Sequence, residues 1–135
     1  MCNNLHEEKA KPIKRVGEGY KIFFQSTPLS LEPKTSCFGD LYESTPDGWI
    51  EWNKKFDSRF YLNSKCGFCF FLSKKEAIKA RHGWITSSVL DKTHHPIHKI
   101  AYDEGLGKHM DDGFTGSPYM IALCKKFKVI QHNVA

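Results

Sequence analysis

Two cysteines two residues apart, Cys66-Gly-Phe-Cys69, and the later run His94-His95-Pro96-Ile97-His98 are the residue types that hold zinc. A structural zinc site needs four sulfur or nitrogen ligands in a tetrahedron, often starting from a pair spaced in this way. Cys66, Cys69, His94 and His98 are therefore the weak metal-ligand candidates, and they define one reading of the chain, a zinc-stabilised module. The spacing speaks against it. In a regular strand Cys66 and Cys69 face opposite sides, and the interval to His94 exceeds that of a zinc finger. A small apolar thiol is at home in a core, so these read as core cysteines and no cofactor is expected. Cys69 beside a histidine is also the pairing of a thiol nucleophile, but no catalytic residue is assigned. The histidine run would gain charge near pH 6.

A second chemistry sits just downstream. Ser73-Lys-Lys-Glu76 is a capping box at the start of a helix. Lys74 and Lys75 oppose the partial positive charge there, a cost of a few tenths of a kcal/mol. An anion on the free amides of the first turn would reverse that cost. Ser73, Lys74, Lys75, Lys79 and Arg81 are thus anion- or partner-binding candidates. Lys125, Lys126 and Lys128 form a second basic cluster, and Lys9, Lys11, Lys14 and Arg15 make a possible basic arm. If the two candidate clusters share a face, they suit a nucleic-acid backbone, with Trp49, Trp52, Tyr61 or Trp84 to stack on bases. Several chemistries are excluded. The glycine-rich stretch lacks the Gly-Lys-Ser/Thr of a phosphate loop. Asp103, Glu104, Asp111 and Asp112 do not follow a calcium loop. Neither a serine-hydrolase elbow nor His-Glu-x-x-His occurs.

The elements that must position these residues can be read from alternation and punctuation. Residues 1–16 are polar and charged and read as a flexible tail; residues 17–135 form a single domain. Tyr20–Phe24 is a first strand. Ser26–Asp47 is loop-rich, and Pro46-Asp47-Gly48 is a turn leading into a short strand at Trp49–Trp52. Phe68, Phe70 and Leu72 share one face of a strand and Cys69 and Phe71 the other, so this strand is interior. The helix capped by Ser73 ends near Gly83. Trp84–Leu90 reads as a strand or extended edge, Ile97–Tyr102 as a strand, and Asp103–Pro118 as a long glycine-containing loop. Tyr119–Leu123 and Phe127–Ile130 are last strands, or one strand broken near Cys124. The sum is an α+β fold with a mostly antiparallel sheet of five or six strands and one short helix.

The 135 residues are 40% hydrophobic and 13% aromatic, enough for a core without staples. A net charge of +5 favours acidic partners: nucleic acid, anionic lipid or an acidic protein face. Five cysteines do not pair into a framework, residues 1–16 lack the apolar core of a signal peptide, and no apolar run is long enough to span a membrane. A cytoplasmic, reducing setting is expected, with no membrane partner.

Four short segments carry a resemblance: Gly19–Phe23, Gly67–Ala77, Ile97–Tyr102 and Ala122–Ile130. Their order resembles a set of small, mostly uncharacterised bacterial and phage domains, some of which are similar in layout to ADP-ribosyltransferases. That resemblance implies a split sheet around a nicotinamide pocket, with Tyr20 or Lys21 near it on the first strand. Ile85-Thr-Ser-Ser88 is similar to the Ser-Thr-Ser strand of that family. The family's catalytic glutamate lies on a late strand, whereas this chain has no Asp or Glu after Asp112. The resemblance therefore implies a version that binds without transferring.

Together these readings predict a non-enzymatic intracellular binding protein that presents a basic face to nucleic acid or to a protein that handles it. Phage- or virus-encoded inhibitors of host systems are often of this size. The alternative is an enzyme acting on a nucleotide or on NAD, with the phosphates at the Ser73 helix start.

Overall fold

Aromatic and β-branched residues at alternate positions favour pleated, half-buried strands, and they dominate this chain outside one capped stretch. The computed structural model describes residues 10–24, 34–35, 42–44, 48–52, 67–86, 95–111 and 118–135. In chain order these hold β1 (Gly17–Phe24), β2 (Lys34–Thr35), β3 (Tyr42–Ser44), β4 (Ile50–Trp52), β5 (Phe68–Phe70), α1 (Lys74–Thr86), β6 (Ile97–Asp111) and β7 (Tyr119–Gln131). Every registered pairing is antiparallel. The fold is a small α+β fold, and among the described residues it has one helix. That helix is not long and apolar enough to cross a membrane.

The strand order is β2-β1-β6-β7-β4-β3, with β5 also paired to β7. One edge of β7 follows β6 from Tyr119 to Gln131. The other edge is shared: Ala122–Cys124 pairs with β5, and Lys126 and Phe127 pair with β4. The sheet then closes. Phe71, directly after β5, exchanges both backbone hydrogen bonds with Tyr20 of β1, each at 2.7 Å. Strands β1, β6, β7 and β5 therefore form a hydrogen-bonded ring. Gly19 permits the closure, because a Cβ there would lie 2.6 Å from the Phe70 ring and 2.8 Å from the Phe71 carbonyl oxygen.

Two cores follow from the ring. Phe23, Phe68, Phe70, Ile100, Tyr102 and Phe127 meet inside it. Trp52 and Phe68 meet edge to face with centroids 5.2 Å apart, and Phe68 and Phe127 do so at 4.9 Å. Such pairs add about 0.5–1.5 kcal/mol beyond their area. Outside the ring, Ile22, Cys69, Phe71, Ile97 and Ile121 pack with Ala77 and Ala80 of α1. The predicted two-faced strand is thus present, with Phe68 and Phe70 inward and Cys69 and Phe71 toward the helix. Leu72, expected beside Phe68 and Phe70, is exposed because the chain turns into α1 there.

Several expectations need correction. The helix does not end at Gly83, and Ile85 and Thr86 are helical, not part of a strand. Glycine inside a helix costs about 1 kcal/mol, and burial of Ala77, Ala80 and Arg81 against the sheet outweighs it. Residues 87–90 lie outside the described residues. Asp103–Asp111, read as loop, continues β6. Gly105 and Gly107 there mark a register shift inside the strand, so they bend it without ending it. Only 112–117 of the expected loop lies outside the described residues. Lys34–Thr35 and Tyr42–Ser44 add two short strands within a stretch read as loop, giving seven among the described residues. Gly48 has φ +88°, the left-handed conformation its turn requires; Pro46 and Asp47 lie outside the described residues. Of the expected tail, residues 10–16 are held against β6.

Candidate functional site

The N-terminal segment runs as a strap along the edge of β6 that β1 leaves uncovered. Lys11 and Lys108 exchange backbone hydrogen bonds at 2.8 and 2.9 Å, and Gly105 N donates to the Arg15 carbonyl at 2.9 Å. Pro12 has no N–H to give to a ladder, so regular pairing lapses between those anchors, while Ile13 packs against the ring core. Gly105 lets the strap lie this close, since a Cβ there would stand 2.6 Å from the Lys14 carbonyl oxygen. The Tyr102 hydroxyl donates to that same oxygen at 3.1 Å. Burial, then the neighbouring Cys124 thiol, raises the Tyr102 pKa, so the phenol stays a donor.

Beside the strap lies a groove of about 370 Å³, lined by Pro12, Ile13, Lys14, Gly17, Glu18, Leu72, Tyr102 and Lys108. Leu72 immediately precedes Ser73, so the groove ends at the start of α1. Glu18 is the one carboxylate among its lining residues, and Lys99 pairs with it at 3.2 Å. Asp103 nearby faces Arg15 at 3.6 Å. The lining lysines thus keep a net positive groove.

The predicted site residues divide. The cap is present: Ser73 Oγ accepts from Glu76 N at 3.2 Å. The Glu76 carboxylate, expected to reach back to Ser73, accepts from Met120 N at 2.9 Å and ties the helix start to β7. Ser73, Lys74, Lys75 and Lys79 are exposed, the first three following Leu72 of the groove directly in the chain. Arg81 does not join them. It is 5% exposed and donates to the His95 and Ala135 carbonyls at 3.2 and 3.0 Å. Burial lowers its pKa.

The second cluster is committed elsewhere. Lys125 is buried with Nζ 6.0 Å from the Trp52 ring centre. Lys126 lies 5.2 Å over Trp49 and pairs with Glu51 at 3.4 Å. Lys128 is half-buried beside Gly48. The Glu76–Met120 bond fixes the helix start at one end of β7; Lys126 is six residues further along the strand, about 20 Å away at 3.3 Å per residue. Tyr61 and the Trp84 side chain lie outside the described residues.

The zinc set is likewise divided. Cys66 and His94 lie outside the described residues. Cys69 faces the helix, whereas the His98 ring stacks on Phe23 within the other core, at 4.9 Å. Among the described residues no group of His, Cys, Asp and Glu could hold a metal.

A polar trio occupies the ring interior. Lys21, opposite His98 in the β1–β6 register, is 2% exposed. Its Nζ donates to the Cys69 carbonyl at 2.7 Å. Burial pushes the Cys124 thiol up to about 12, against an opposing effect from Lys21. Burial, then His132, lowers His98 to about 4. His98 Nδ1 accepts from Asn133 N at 2.9 Å, so Nε2 carries the proton and finds no acceptor among the described residues. Lys21, which the resemblance would set at a pocket, is sealed in this interior.

Sequence reasoning passed over Leu72, Tyr102 and Lys108 as site residues. The available signals were Pro12 inside a basic arm and a lysine within a glycine-rich stretch. No family model matches the chain, and neither the curated proteins nor the solved structures show a match to it.

Proposed function

We propose that this chain is a non-enzymatic binding protein that receives an anionic partner in the groove beside its N-terminal strap. One observation carries the reading: Lys14 and Lys108 line a concave site whose single carboxylate is already neutralised by Lys99. Lys74 and Lys75, exposed past Leu72, extend the positive field to the helix start, where free amides add to it. Cys69 and Cys124 are unbridged, which supports a reducing intracellular setting.

The test is charge reversal at the groove. Binding of a fluorescent polyanion such as heparin should weaken about tenfold or more in Lys14→Glu/Lys108→Glu and fall with added salt. Lys126→Glu, at the distant cluster, should change it little. Equal losses from both variants would replace the groove with a diffuse charge effect.

A further inference from the structure

Resting on that reading, we infer that the groove takes an acidic polypeptide segment with an apolar anchor, in preference to a nucleic acid. Three of the eight lining residues, Pro12, Ile13 and Leu72, bring aliphatic side chains to the groove. Leu72 is 38% exposed, and Val16, next to the lining Gly17, is 55% exposed. A sugar-phosphate backbone gains nothing from such surface, whereas a leucine or phenylalanine side chain is drawn to it by the hydrophobic effect.

The aromatic residues point the same way. Single-stranded nucleic acid relies on open ring faces for stacking. Tyr102 is only 2% exposed, and its hydroxyl is held by Lys14. Trp49 and Trp52 lie under Lys126 and Lys125. Among the described residues, the groove therefore offers cations and aliphatic surface without an open stacking platform.

Charge order gives the register. Lys14 and Lys108 line the groove, and Lys74 and Lys75 follow Leu72 at its end. Positive charge thus brackets an apolar middle. The complementary ligand is an extended segment with carboxylates on both sides of one or two large apolar residues. At about 370 Å³ the groove lies at the low end of the range of roughly 300–1,000 Å³ typical of ligand pockets, a size for a few side chains and not for a duplex.

The experiment compares three fluorescein-labelled probes by anisotropy on the intact chain. One is a short peptide with Leu and Phe flanked on both sides by glutamates. The second replaces Leu and Phe with Ser, and the third is a single-stranded oligothymidine. The first should bind about tenfold or more tighter than either of the others. It should lose its affinity in Lys14→Glu/Lys108→Glu. Leu72→Ser should weaken the first peptide and leave the serine peptide unchanged. Circular dichroism of each variant confirms that the fold is intact. Equal binding of the two peptides, or tighter binding of the oligothymidine that is lost in the lysine variant, overturns the peptide inference and leaves the basic groove standing. No binding by any probe overturns both.

Discussion

Lys21 Nζ donates to the carbonyl of Cys69 across the closed ring at 2.7 Å, and three aromatic rings surround it. The ring centres of Phe23, Phe68 and Phe127 lie 5.6–5.9 Å away. A lysine over ring faces is held by their quadrupoles and fills volume that its neighbours require. Methionine has a similar length and a sulfur suited to aromatic contact. Lys21→Met should change stability by less than about 1.5 kcal/mol, whereas Lys21→Ala should cost about 2–5 kcal/mol. Urea unfolding checks both. A methionine variant as unstable as the alanine variant would show that the hydrogen bond, not the volume, is decisive.

His98 makes stability depend on acid. Its pKa falls from 6.5 to about 4 on folding, so the unfolded chain binds more protons between those values. Stability should therefore be highest above pH 6.5 and decline as pH falls to 4, by up to about 3 kcal/mol from this group. Protonation also removes the acceptor for Asn133 N. His98→Asn retains an acceptor without titrating, and thermal melts over this range should show a flatter slope. An unchanged slope would assign the acid sensitivity to other groups.

Cys124 should be chemically silent. Burial holds its thiol near 12, above the ordinary 9.0, and the thiolate is the reactive form. In a variant with Cys2, Cys37 and Cys66 changed to Ser, a chromogenic disulfide reagent at pH 8 should find no rapid thiol in the native state. It should find both Cys69 and Cys124 in guanidinium. The alkaline sign is the reverse of the His98 case. The Cys124 contribution is complete below pH 9 and is lost as pH rises toward 12, so Cys124→Ala should flatten the alkaline limb. Rapid native labelling of Cys124 would mean that the ring opens.

Gly105→Val should release the strap. Its side chain would meet the Lys14 carbonyl and Ile13 Cδ1, which stand 2.6 and 3.0 Å from the Cβ position. Trypsin should then cut after Lys14 and Arg15 faster than in the parent, and groove binding should fall. Equal cleavage rates would show that β6 bends to accept the side chain.

The sequence made the α+β class and the antiparallel ladders legible because alternation of apolar residues directly reports a strand with a buried face. Phe68–Phe71 and the Ser73 cap could be read for that reason. The length of β6 could not. Gly105 and Gly107 are the residues of a loop, and only pairing with Cys124 and Leu123 shows that they bend a strand. The groove was less legible still. Lys14 and Lys108 are far apart in sequence, and the backbone bonds of Lys11 and Gly105 bring them together. Arg81 and Lys125 carried the residue types of a binding surface, yet tertiary contacts buried them.

Both flanks of the chain are fastened to β6, at opposite ends: Lys11 to Lys108, and Val134 N to the Ile97 carbonyl at 3.0 Å. Eleven residue steps along the strand separate those anchors, about 36 Å. Force applied between Lys11 and Val134 would run along β6 and load its ladders with β1 and β7 in shear. Many hydrogen bonds would share the load, instead of parting one at a time as in an unzipping hairpin. The arrangement is that of a mechanical clamp, which predicts a high rupture force under tension for a domain of this size.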